Sequence, residues 1–188
     1  MTIEIPMRLH GLDLRRNDAY ESVHPDLSEL FWMSNGPISL AVLFSDEPAP
    51  SAASDAVKWA RRISQLMPGV SVAEVHDELV SISDIASRTS VAAEAVRMWS
   101  NGKRRGSVRP FPSPRQVVGG SSGGKTMNLY AWREVLSWIR EILGSDPEEG
   151  IEYLSDAQLA DLNVQLASIG QETADQIGST APAALWYV

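Results

Sequence analysis

The sequence predicts an α+β chain in three parts. Residues 1–78 read as a βαββαβ unit, residues 79–143 as two short helices with a hairpin and a closing helix, and residues 144–188 as a helical segment. Three observations predict this. Apolar residues alternate with polar ones near the N-terminus, which is the period of a half-buried strand. Further on they recur at spacings of three and four, the period of a helix face. Clusters of Gly, Pro, Asn and Ser separate these runs.

In the first part, Ile3, Ile5, Met7 and Leu9 alternate as a strand. A short helical pattern from Asn17 to Leu30 is interrupted by Pro25. Two strands, from Leu30 and from Ile38 to Phe44, flank an Asn35-Gly36 turn. From Ala52 to Met67 a helix turns Ala56, Trp59, Ala60, Ile63 and Leu66 to one side. Pro68-Gly69 ends it, and Val70, Val72 and Val75 make a last strand. This order is the split pattern of a ferredoxin-like unit.

The composition is that of a soluble globular protein, 44% hydrophobic and 21% charged. No apolar run approaches the roughly 18 residues that span a bilayer, and no leader is read at the N-terminus. The expectation is a cytoplasmic protein with no membrane partner. Zero cysteines exclude disulfides and thiolate chemistry. His10, His24 and His76 lack metal-ligand spacing, and Glu148-Glu149 sit in a linker, so no enzyme, metal site or cofactor is expected.

Charge is unevenly spread. The chain carries −8, but Ser83 to Arg140 holds ten Lys and Arg against three acids, which leaves +7. The remainder holds six bases against 21 acids, which leaves −15. A basic segment inside an acidic chain is the electrostatic signature expected of a phosphate-binding surface.

That basic segment contains SDIASRTSVAAEAVRMWSNGKRRG from Ser83, RPFPSP from Arg109 and LYAWREVLSWI from Leu129. Ser83 is read as the cap of a first helix with Ile85 and Ala86 inward, and a second helix as starting near Ser90. Val91, Ala95, Val96 and Trp99 form its buried face; Ala92, Ala93, Glu94, Arg97 and Met98 form the other. Two helices and a turn of this kind offer their second helix to a major groove. Gln116 to Val118 and Thr126 to Tyr130 read as a two-stranded hairpin with a Gly/Ser tip, and Ala131 to Leu143 as the closing helix.

These pieces, spanning Leu79 to Leu143, resemble the winged helix-turn-helix modules of MerR-type and excisionase-type DNA-binding proteins. One departure is Thr89-Ser90, at a turn where such modules often carry Gly. The reading that follows is a sequence-specific double-stranded DNA-binding protein, by default a transcriptional regulator and a homodimer. Arg97 reads a base edge, guanine in this reading, while Ala93, Glu94 and Met98 shape the preference. Lys103, Arg104, Arg105, Arg109 and Arg115 meet phosphates, and Lys125 meets the minor groove or backbone.

Two alternatives stay open. In one, the protein is an adaptor whose basic module docks an acidic partner. In the other, Gly119 to Thr126 is a phosphate loop, since it fits G-x-x-x-x-G-K-[ST]. The context opposes a hydrolase, because a buried strand should precede the loop and a helix should follow it. In the last part, Leu159, Leu162, Leu166 and Ile169 form a seam two heptads long. It is either a dimer contact or a face packed on its own chain. The N-terminal unit and the tail APAALWYV are the candidate sites for a protein partner.

Overall fold

The computed structural model describes residues 1–16, 18–103, 109–119 and 126–179, with the last helix's side chains described as far as Gln171. In chain order the elements are β1 (Thr2–His10), two 3₁₀ turns (Tyr20–Ser22 and Pro25–Leu27), β2 (Phe31–Asn35), β3 (Ile38–Ser45) and α1 (Ala49–Leu66). There follow β4 (Ser71–Val75), β5 (Leu79–Val80), α2 (Ile82–Thr89), α3 (Ala93–Ser100) and β6 (Gln116–Val118). The last are β7 (Met127–Ala131), α4 (Trp132–Leu143), β8 (Ile151–Glu152) and α5 (Asp156–Ser179). The class is α+β, as expected.

The chain divides into two compact units. Asp77–Glu149 forms one, and Met1–His76 joins the residues from Gly150 onward to form the other. This corrects the expectation that residues 144–188 stand apart. The acidic stretch around Glu148 ends one unit, and the following residues return to the first.

In that first unit the sheet order is β2-β3-β1-β4, with β8 also beside β1. Neighbouring strands of the four are antiparallel, with Ile5 opposite Leu43 and Met7 opposite Val75, whereas β8 runs parallel to β1 at Thr2 and Ile3. The alternation read from the sequence places Ile3, Ile5, Met7 and Leu9 in the core. Gly36 (φ 56°) and Pro37 take the central positions of the β2–β3 turn, one step later than the Asn35-Gly36 reading. Positive φ at the first central position favours a residue without Cβ.

Ala52, Ala56, Ala60 and Ile63 of α1 face the core. The helix expected from Asn17 to Leu30 is replaced by the 3₁₀ turns, because Pro25 lacks an N–H and holds His24 extended at ψ 134°. Leu27 and Leu30 from this stretch are buried in the same core. So are Leu162, Leu166 and Ile169 of α5, with Leu159 packed against them. The heptad seam is therefore a face of this chain's own core, not a free dimer surface. Asn163, on the same helix, accepts the Val75 N–H at 2.7 Å and so occupies the outer side of β4.

The second unit has a three-stranded sheet in the order β5-β7-β6. Leu79 pairs with Ala131, and Gln116 with Leu129, both antiparallel. Its core holds Ile85, Val96, Tyr130, Trp132, Val135, Leu136, Trp138 and Ile139, all 2% exposed or less. Aromatic rings join the segments: Trp138 lies 5.4 Å from Trp99 and 5.0 Å from Phe111, which meets Tyr130 edge-on. The Pro-rich stretch is thereby fixed, and the Trp138 indole donates to the Arg109 carbonyl at 3.1 Å.

Candidate nucleic-acid interface

The pair α2–α3 is set by local chemistry. Ser81, not Ser83, caps α2: its Oγ accepts the Asp84 N–H at 3.3 Å, and the Asp84 carboxylate accepts the Ser81 N–H at 2.8 Å. This reciprocal box satisfies two of the helix's free donors. Hydrogen bonding from Ser81, hydroxyl first and backbone second, holds the Asp84 carboxyl below its ordinary pKa. Ile85 and Ala86 are buried, as expected.

Ser90 ends α2 in the left-handed region at φ 56°. Among the described residues it alone does so without being glycine. The Val91 N–H reaches back to the Ala86 carbonyl at 3.1 Å, which closes the turn. The second helix thus starts at Ala93 rather than near Ser90, because Ser90 is committed to the turn.

α3 is only two turns long, and its faces divide as the spacing predicted. Val96 is fully buried, while Val91, Ala95 and Trp99 are half-buried. Glu94, Arg97 and Met98 are exposed, and Ala93 is half-buried at the first turn. Arg97 Nη1 lies 3.2 Å from Glu94 Oε2 in a pair one helical turn apart. Both partners are more than half exposed, so this pair contributes little, on the order of 0.5 kcal/mol, and yields readily to a better acceptor. Lys103 is exposed just past the helix. Arg104, Arg105 and Lys125 lie outside the described residues.

The charge balance differs from expectation. Taken over the whole compact unit, Asp77–Glu149, ten bases meet nine acids, so its net charge is +1 rather than +7. The acids just outside the window from Ser83 to Arg140 fold back onto the arginines inside it. Arg88 bonds Glu78 with both terminal nitrogens, at 2.9 and 2.5 Å. Arg133 meets Asp77 at 3.1 Å, and Arg140 meets Asp146 at 3.0 Å. Arg109 reaches Glu141 at 2.5 Å, and Arg115 pairs with Glu134. The last two arginines were expected on phosphates; each already holds a carboxylate of α4.

The β6–β7 hairpin carries a feature that the sequence reading missed. Val117, Val118 and Met127 are exposed, with Val118 directly opposite Met127. Period-two alternation assigns one apolar face to a strand, so exposure on both sides of so short a hairpin gives no sequence signal. The chain past the hairpin tip continues as strand β7 from Met127, not as a helix. β6 is three exposed residues. Both facts oppose a phosphate loop at Gly119 to Thr126, of which Gly120 to Lys125 lie outside the described residues.

Among the described residues, no three His, Asp or Glu gather as potential metal ligands, and no helix is long and apolar enough to cross a membrane. His24 uses Nδ1 to accept the Asp26 N–H at 3.2 Å, which caps a 3₁₀ turn. No family model matches the chain, and no curated protein or solved structure matches it either.

Proposed function

We propose that the Asp77–Glu149 unit binds double-stranded DNA in a sequence-specific manner and that the protein is a transcriptional regulator working in the cytoplasm. The observation that carries this reading is the divided α3: an apolar face anchored on Val96, and an exposed face presenting Glu94, Arg97 and Met98. Exposed residues on the second of two short helices are the ones that reach base edges. The order strand, helix, helix, hairpin, with β7 central in the sheet, supports a winged helix-turn-helix layout like that of MerR-type and excisionase-type modules. In the other unit, the antiparallel order β2-β3-β1-β4 supports a ferredoxin-like layout whose first helix is lost.

In this reading Arg97 exchanges Glu94 for a guanine edge, and Met98 packs on a base methyl group. Phosphate contacts fall to Lys103, Arg104, Arg105 and Lys125, since Arg109 and Arg115 are engaged with Glu141 and Glu134. Each phosphate neutralised adds about −0.9 to the log–log salt slope, so four give about −3.6 and six would give about −5.4. Fluorescence anisotropy of a labelled duplex across a salt series measures the slope. A slope near −3.6, unchanged by Arg109→Ala and Arg115→Ala, supports the reading. Absence of binding at low salt refutes it.

A second reading, docking of a protein partner, is favoured by the exposed Val117, Val118 and Met127 and by the near-neutral charge of the unit. It predicts no salt-dependent DNA binding at all.

A further inference from the structure

We infer that β2 is the surface through which two copies of this chain associate, edge to edge, into a symmetric dimer. The inference rests on the Met1–His76 unit and is independent of the DNA reading. With the Leu159 to Ile169 seam buried in its own chain, any symmetric contact must use another surface.

The two sides of the sheet differ. Beyond β1, the β4 side is occupied by the Asn163 side chain at Val75 and by β8 at Thr2 and Ile3. β2 ends the sheet on the opposite side and, among the described residues, pairs only with β3. Its two-residue turn makes Asn35 and Ile38 the first hydrogen-bonded pair, so Met33 and Phe31 also turn their backbone groups toward β3. Trp32 and Ser34 therefore turn theirs outward, and those groups bond nothing among the described residues. An open strand edge of this kind is a template for another strand.

The strand reads FWMSN, and no residue in it is charged. This matters because the residues outside Asp77–Glu149 hold six bases against 15 acids, a net of −9. Two such units repel each other across most approaches, and an uncharged edge removes that obstacle locally. The geometry is self-complementary about Met33. Antiparallel pairing with a second copy sets Trp32 opposite Ser34 twice and Met33 opposite Met33 on the two-fold axis. Phe31, which is 56% exposed, then lies diagonal to the partner's Met33 on the same sheet face, within reach of a cross-strand contact.

Sedimentation velocity from low to high micromolar protein, at low and at high salt, tests this. The expected result is a species of twice the 20.5 kDa chain, with a larger dimer fraction at high salt as the repulsion is screened. Met33→Lys sets two like charges on the axis, and Ser34→Pro removes an outward donor; each gives a monomer with an unchanged far-ultraviolet circular dichroism spectrum. A wild-type chain that stays monomeric throughout, or a dimer that persists in both folded variants, overturns the inference. Should either variant misfold, Met33→Cys decides. The chain has no other cysteine, so mild oxidation links the folded variant into a covalent dimer faster than the urea-unfolded variant at equal concentration if Met33 lies on the axis, and no faster if it does not.

Discussion

Replacing Arg88 by Met tests whether the arginines of the second unit serve structure rather than DNA. The Arg88 guanidinium bonds the Glu78 carboxylate with both terminal nitrogens, lies 3.7 Å from Glu148 and stacks 4.6 Å over Trp132. Glu148 also accepts the Trp132 indole N–H at 2.8 Å. One side chain of α2 thus holds both the residues before β5 and the residues after α4. Arg88 and Glu78 are each about one-third exposed, so the forked pair contributes about 1 kcal/mol after screening. Stacking on Trp132 adds about 1 kcal/mol. A loss of about 2 kcal/mol in a unit of this size lowers its melting temperature by roughly 8–16 °C. Near-ultraviolet circular dichroism, which reports on the packed Trp132 and Trp138, follows the transition. Arg88→Lys should fall between, since it keeps charge but loses the fork. A melting temperature for Arg88→Met within roughly 2 °C of wild type, which corresponds to about 0.5 kcal/mol or less in a unit of this size, would refute the clamp.

Three further outcomes follow from the same geometry. Ser90→Gly should raise the stability of the second unit by about 1 kcal/mol, measured by chemical denaturation, because it relieves the left-handed strain at φ 56°. Asp84→Asn should be less stable than wild type at neutral pH, with the gap closing under acid. The folded carboxyl titrates below its ordinary value, so its stabilisation is complete above about pH 4 and is lost as pH falls through the folded pKa; a constant gap would contradict the cap. Leu166→Ala, at a fully buried position, should destabilise the first unit by about 2–5 kcal/mol independently of protein concentration. A concentration-dependent effect would return Leu166 to a subunit contact.

What the sequence made legible was local. The alternation of β1, the small-residue face of α1 and the two faces of α3 each depend on residues within a few positions of one another. Caps and boundaries slipped by two or three residues where neighbouring serines competed. Ser81-Ile-Ser-Asp84 carries a capping-box spacing that Ser83 lacks, and that spacing was the available signal. What stayed hidden was long-range. The return of α5 to the first unit depends on contacts such as Asn163 with Val75, 88 positions apart. Charge misled for the same reason: Arg133 meets Asp77 across 56 positions, so a window that included one and not the other showed an excess that the folded unit does not have. The open edge of β2 was invisible because openness belongs to the sheet order, not to the strand.

The most direct test of the DNA reading is selection from a random duplex pool, performed in parallel with the wild-type chain and Arg97→Ala. The account predicts an enriched motif containing guanine for wild type. Arg97→Ala should lose preference at that base, a change of about 1–3 kcal/mol, and keep its salt slope. An identical motif from both proteins would remove Arg97 from the interface, and a pool that stays random with wild type would contradict sequence-specific binding altogether.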